Sequence, residues 1–285
     1  MEWRGNATRA GSLSLPRRRG EGWGEGLRAS ALAPPPLIRP AATISPPPRK
    51  GEGARRSILL AFHRLGFGIG MSTHASRLVV FLKAPRPGSV KTRLAETLGA
   101  DAACAAYRQL VETLLVHLAP LHAVELCFTP ADASAEISPW LRADWSAAPQ
   151  SAGDLGRRLH AAFTEHFLAD AERVVIIGSD CPAVTATDIE DAWRALDGHD
   201  VVLGPALDGG YWLIGLRAPQ SALFTEMPWS TTAVFAETMH RARESDLRVA
   251  LLRELSDVDT AADWERWLKH TSLNSNLSQA AVENT

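Results

Sequence analysis

Short, unbroken apolar runs punctuate the chain from about residue 76 onward. Leu78-Val-Val-Phe-Leu82 and Val174-Val-Ile-Ile177 have no polar interruption, as expected of strands covered on both faces. Val124-Glu-Leu-Cys-Phe128, Asp200-Val-Val-Leu203, Trp212-Leu-Ile-Gly-Leu216 and Arg248-Val-Ala-Leu-Leu252 read as further strands. Between them the apolar positions recur at helical spacing. Tyr107, Leu110, Val111, Leu114, Leu115 and Leu118 mark one helix, and Leu155, Leu159, Phe163 and Phe167 mark another. A short helix is expected from near Val90, one capped by Thr187 with Glu190 three residues on, one over 231–245, and a last one introduced by Asp259 and Thr260 and ending near Lys269. Strands alternating with helices predict an open α/β sheet, and such sheets bind ligands where their strands stop.

Residues 1–70 lack any such period. They hold triple prolines at 34–36 and 46–48 and two similar phrases, Pro16-Arg-Arg-Arg-Gly-Glu-Gly22 and Pro47-Pro-Arg-Lys-Gly-Glu-Gly53. The expectation is a disordered leader. Its composition resembles translated intergenic DNA, with Met71 as the working start. An interaction arm is a second reading. A targeting segment is a third, on Arg55-Arg56 and the short apolar run after them. Gly66-Phe-Gly-Ile-Gly70 precedes the first strand, so it is not a dinucleotide fingerprint. Residues 271–285 are polar and expected to fray.

Charge divides at the same point. Residues 1–70 carry 12 Lys and Arg against 4 Asp and Glu, and the rest carry 18 against 28, within an overall net charge of −2. The acidic body speaks against nucleic-acid binding, which needs a basic face. No run reaches the about 18–20 apolar residues of a membrane span. Three scattered cysteines (Cys104, Cys127 and Cys181) fit a reducing cytoplasm and no disulfide framework.

Candidate chemistry stands at the predicted strand ends. Lys83, Arg86, Lys91 and Arg93 surround a Pro/Gly turn after the first strand. A cationic loop entering a helix suits phosphate, although it lacks the P-loop spacing, and a solvated loop is the plain alternative. Asp180, in Gly178-Ser-Asp-Cys-Pro182, could ligate Mg²⁺ or Mn²⁺ or merely cap the next turn. Cys181 beside it reads as small and buried. In Gly204-Pro-Ala-Leu-Asp-Gly-Gly-Tyr-Trp212, Asp208, Gly209 and Gly210 fit a hairpin turn. They equally fit a backbone that approaches a ligand, with Tyr211 or Trp212 offering a ring to a base or sugar. Asp257 could be a second metal carboxylate, and Asp259 and Thr260 read as capping residues. Trp229, Ser230 and Thr231 precede a helix and could bind substrate or cap it.

These segments, in this order, resemble a bacterial family of GT-A-type nucleotide-diphospho-sugar transferases, labelled radical-SAM/selenodomain-associated transferase or glycosyltransferase. The phrases that carry the likeness are Lys83-Ala-Pro-Arg-Pro-Gly-Ser-Val-Lys-Thr-Arg-Leu94, Gly178-Ser-Asp-Cys-Pro182, Gly204-Pro-Ala-Leu-Asp-Gly-Gly-Tyr-Trp212 and Pro228-Trp-Ser-Thr231. More distantly the chain is similar to phospholactate and molybdenum-cofactor guanylyltransferases. The resemblance spans about residues 76–268. It implies a three-layer α/β/α Rossmann-like sandwich with a mostly parallel sheet. It further implies that Lys91 and Arg93 bind donor phosphates and that Asp180 holds a metal; the reading of the strand ends adds Lys83 to the phosphate set and Asp257 as a second carboxylate on Mg²⁺ or Mn²⁺. Asp208 would serve the acceptor as orienting group or proton acceptor. Gly209, Gly210, Tyr211, Trp229 and Ser230 would contact substrate. The expected partners are a nucleotide or nucleotide-sugar donor, a small-molecule acceptor and a second copy of the chain as a homodimer. Two features of related enzymes are missing, a Gly-Gly-x-Ser-x-Arg-Met-Gly loop and a full Asp-x-Asp at 178–182. Glycosyl transfer, nucleotidyl transfer and a non-catalytic nucleotide-binding partner therefore all stand as readings, with glycosyl transfer preferred.

Overall fold

The computed structural model describes residues 76–271. The expected leader and the tail beyond 271 lie outside the described residues. Seven strands form one sheet: β1 (Ser76–Lys83), β2 (Val124–Thr129), β3 (Ser146–Pro149), β4 (Arg173–Gly178), β5 (Val201–Pro205), β6 (Tyr211–Leu216) and β7 (Val249–Leu251). Their order across the sheet is β3-β2-β1-β4-β6-β5-β7. All neighbours run parallel except β6, which is antiparallel to both β4 and β5.

Alternation along β1 sends Leu78, Val80 and Leu82 to one face and Val79 to the other. The first face is covered by α2 (Ala100–His117), which follows the short α1 (Thr92–Leu98), and by α4 (Ala186–Ala195). The second face is covered by α3 (Leu155–Leu168) and α5 (Val234–Glu244), with Phe163 packed between Phe167 and Phe224. The result is the expected three-layer sandwich with a mostly parallel sheet. A last helix, α6 (261–271), rests through Ala261 and Trp264 on Leu94, Ala103 and Ala106.

Three local expectations differ from what forms. β3 was not expected; its Ser-Ala-Ala-Pro sequence lacks β-branched residues, and it forms as an edge strand against β2. The cap of α4 is Thr185, not Thr187. Thr185 and Asp188 make a reciprocal capping box, and the Arg253 guanidinium clamps Asp188 at 2.6 and 2.7 Å. Ser230 and Thr231 do not cap α5, which begins after Ala233 with no side-chain cap.

The topology fixes where a ligand belongs. From β1 the chain steps to β2 and β3 on one side, then returns to β4 on the other. The order therefore reverses between β1 and β4, the kind of switch point at whose carboxyl ends open α/β sheets form a crevice.

Candidate functional site

Three connections converge on that crevice. The first leaves β1 at Lys83, whose backbone is pinned by Tyr107. The Tyr107 hydroxyl accepts from the Lys83 N–H at 2.9 Å and lies 3.1 Å from the Lys83 carbonyl and 3.2 Å from Ser179 Oγ. Burial pushes the Tyr107 phenol up to about 12, so it remains a neutral strut between the ends of β1 and β4. The second connection leaves β4 through Ser179 and Asp180. The third follows β7 and runs across the sheet edge. Leu255 bonds to Pro205 and Leu207, Cys181 Sγ donates to the Ser256 carbonyl, and Val258 N–H donates to the Asp180 carbonyl at 3.0 Å. Asp257 is thereby held between the ends of β5 and β4.

Lys91 reaches into this junction. Its ammonium donates to Asp180 and, at 2.9 Å, to Asp259, and its side chain is only 3% exposed. Burial works to lower its pKa, but Asp180 and Asp259 outweigh burial and hold it above the ordinary lysine value. Arg93 Nη1 lies 3.9 Å from the other Asp259 oxygen and is largely exposed. Among the described residues, Asp257 forms no such ion pair. Burial, then the charges of Asp180, Asp208 and Asp259, push its carboxyl up to about 7.

The structure thus brings Lys91, Arg93, Asp180 and Asp257 together, with Lys83 at the adjoining strand end. It adds Asp259, which had read as a capping residue; the α6 cap is made by Thr260 with Asp263. Arg86 is removed from the cationic set, because Glu136 takes its Nε and Nη2 and Asp132 a further bond at 3.2 Å. Cys181 is a buried thiol pushed up to about 12, as befits packing and not nucleophilic chemistry.

The β5–β6 turn stands at the same edge. Asp208 is exposed at its tip and accepts from the Gly210 N–H at 2.8 Å. The close backbone approach expected at Gly209 is to the chain itself. Gly209 has φ +88°, a Cβ there would lie 2.3 Å from the Thr232 carbonyl oxygen, and its own carbonyl accepts from Phe235. The turn is thus locked onto the segment that carries Trp229 and the exposed Ser230. Tyr211 and Trp212 do not offer faces to a ligand. Tyr211 packs into the second core with its hydroxyl buried toward Thr238. Trp212 is 3% exposed and donates to the Arg253 carbonyl. Trp229 is partly buried over Gly156, where a Cβ would come within 2.8 Å of its indole nitrogen.

The donor chemistry fits Mg²⁺ or Mn²⁺ in kind. Asp180, Asp257 and Asp259 carry hard carboxylate oxygens near the strand ends, and the raised Asp257 carboxyl is one that a nearby cation would relieve. Among the described residues, no group of three or more His, Cys, Asp or Glu side chains is arranged to hold an ion as it stands. Lys91 occupies the space between two of these carboxylates. Among the described residues no helix is long and apolar enough to cross a membrane.

The model of a family described as "uncharacterized protein conserved in bacteria (DUF2064)" matches residues 113–231. The chain is 37% identical to a Desulfovibrio desulfuricans G20 protein described as a "putative nucleotide-diphospho-sugar transferase". That match covers 65% of this chain and 83% of that one, with a TM-score of 0.62. The chain is more remotely similar to the inositol-1-phosphate CTP transferase of T. maritima, at 11% identity, 66% and 91% coverage and a TM-score of 0.44. It is also similar to Rv0371c of Mycobacterium tuberculosis H37Rv in complex with manganese, at 15% identity, 68% and 98% coverage and a TM-score of 0.41. No curated protein matches the chain.

Proposed function

We propose that this chain, which belongs to the family of the Desulfovibrio nucleotide-diphospho-sugar transferase homologue, transfers a group from a nucleotide-activated donor, specifically a sugar from a nucleotide sugar to a small-molecule acceptor, with Mg²⁺ or Mn²⁺. The observation that carries this reading is the meeting of Lys91, Asp180, Asp257 and Asp259 at the crevice between β1 and β4. A nucleotide diphosphate brings negative charge and needs both cationic side chains and a metal to hold it.

Lys91 and Arg93, with Lys83, bind the donor phosphates. Asp180 and Asp257 hold the metal, with Asp259 beside them. When bound, the ion supplies Lewis-acid charge to the departing phosphate. Asp208, exposed at the tip of the β5–β6 turn, orients the acceptor hydroxyl or accepts its proton. Trp229, Ser230 and the Gly209–Gly210 turn line the acceptor side. The free, buried Cys104, Cys127 and Cys181 suit a reducing compartment, and we place the protein in the cytoplasm.

The test offers the protein a panel of nucleotide sugars and nucleoside triphosphates with Mn²⁺, water standing in as acceptor. Glycosyl transfer releases a nucleoside diphosphate from one nucleotide sugar, and Asp180→Ala abolishes the release. Pyrophosphate released from a triphosphate would replace this reading with nucleotidyl transfer. Tight nucleotide binding with neither product would make the protein a non-catalytic partner.

A further inference from the structure

Asp180 and Asp259 are already bridged by a cation, and the way it is held is unusual for a phosphate-binding lysine. The Lys91 side chain is 3% exposed, while Asp180 and Asp259 are 50% and 39% exposed. The ammonium is the buried member of the group and the carboxylates are the open ones. A lysine waiting for phosphate ordinarily keeps its head in water along an extended stem. Lys91 is instead drawn inward from a backbone at φ 47°, ψ 48°, a left-handed conformation that non-glycine residues seldom adopt. It does so at the start of α1, where it makes no side-chain cap. Its backbone carbonyl caps α1 by accepting from the Ala95 N–H at 2.8 Å, so the side chain is left free of the helix and turns to Asp180 and Asp259.

A divalent cation ligated by Asp180 would need the oxygens that this ammonium uses. Two like charges a few ångströms apart at a partly buried site repel strongly, so both cannot hold the position. We propose that Lys91 is a resident counter-ion, which, braced by Asp259, occupies the Asp180 oxygen that a divalent cation would use in the ligand-free protein and swings out to the donor's phosphates when the cation enters. The inference rests on the reading of Asp180 as a metal ligand. It makes the site self-neutralised when empty and ties metal binding to donor binding. Bare metal binds weakly because it must displace Lys91. A phosphate-bearing ligand helps by giving the displaced ammonium a new partner, and by linkage each ligand tightens the other.

Mn²⁺ alone, titrated into the full chain at pH 8 by calorimetry or electron paramagnetic resonance, tests this without turnover. The expected result is that Lys91→Met binds bare Mn²⁺ about tenfold or more tightly than wild type, within the usual range of such couplings. Equal or weaker binding by a folded Lys91→Met protein overturns the inference. Mn²⁺ binding that survives Asp180→Ala unchanged overturns the metal-site reading beneath it, and no binding by either wild type or Lys91→Met overturns both. A second measurement needs no variant. Acetylation of Lys91 by an amine reagent, followed by mass spectrometry of the wild type, should accelerate several-fold when Mg²⁺ is added. A rate that Mg²⁺ leaves unchanged, at a concentration shown to occupy the site, means that Lys91 does not move and refutes the exchange.

Discussion

Replacing Asp257 with asparagine separates what the site contributes to stability from what it contributes to binding. The Asp257 carboxyl stands at about 7 in the fold against an ordinary value of 3.8, through burial and the charges of Asp180, Asp208 and Asp259. A carboxyl raised in the fold favours the folded state when protonated. Its contribution is complete below about pH 4, fades as the pH rises toward 7, and is gone above it. The difference of about 3 pKa units corresponds to about 4 kcal/mol of ionisation cost at pH 8 as an upper bound. Relaxation and water entry would leave roughly half of that. Asparagine keeps the shape and cannot ionise. Asp257→Asn should therefore raise the melting temperature at pH 8 in EDTA by about 4–8 °C. At pH 4 the gain should vanish. On the proposed metal role of Asp257, the same variant should lose most of any stabilisation that Mn²⁺ plus nucleotide gives to wild type. Thermal melts at the two pH values, with EDTA and with Mn²⁺ plus nucleotide, read both effects. A variant that is destabilised at pH 8, or stabilised equally at pH 4 and pH 8, would refute the electrostatic account of Asp257.

Other substitutions test the scaffold around the crevice. Arg253→Ala leaves the nearly buried Asp188 carboxylate without its clamp, and should cost about 1–3 kcal/mol in urea unfolding. Tyr107→Phe removes the hydroxyl that ties Lys83 to Ser179, and should cost about 1–2 kcal/mol while weakening nucleotide binding through the displaced β1 end. Gly209→Val sets a side chain against the Thr232 backbone at a positive φ, and should cost about 2 kcal/mol or more, with acceptor-side activity falling further than donor binding. Arg86→Ala should leave donor affinity within about twofold, because its guanidinium is engaged with Glu136 and Asp132 and screened by solvent.

The sheet was legible because its central strands are uninterrupted apolar runs, and the carboxyl-edge rule then pointed to the strand ends where Lys91 and Asp180 meet. Legibility failed where tertiary closure decides. Asp259 and Thr260 are both good capping residues in sequence, yet only Thr260 caps. Asp259 meets Lys91 across 168 positions of chain, which no local pattern encodes. Thr185 and Thr187 each have an acidic residue three positions on; the turn after Pro182 and the Arg253 clamp on Asp188 select Thr185. Tyr211 opens a strand next to two glycines, so its ring could have faced either water or the second core, and packing against α5 decides for the core. Arg86 looked like part of a phosphate cradle because Glu136, fifty residues on, is invisible to local reading. β3 carries no apolar run at all and exists by pairing with β2.

The central claim is that the crevice between β1 and β4 binds a nucleotide and a divalent cation together. Thermal unfolding of wild type and Asp180→Ala against a panel of nucleotides and nucleotide sugars, each with and without Mg²⁺ or Mn²⁺, tests it most directly. At about 100 times its dissociation constant a true ligand adds about 2.7 kcal/mol. The account predicts that at least one nucleotide or nucleotide sugar stabilises wild type by that order, only with metal present, and that Asp180→Ala loses the effect while remaining folded. A well-folded wild type that no member of the panel stabilises, or a stabilisation indifferent to metal and to Asp180, would contradict it.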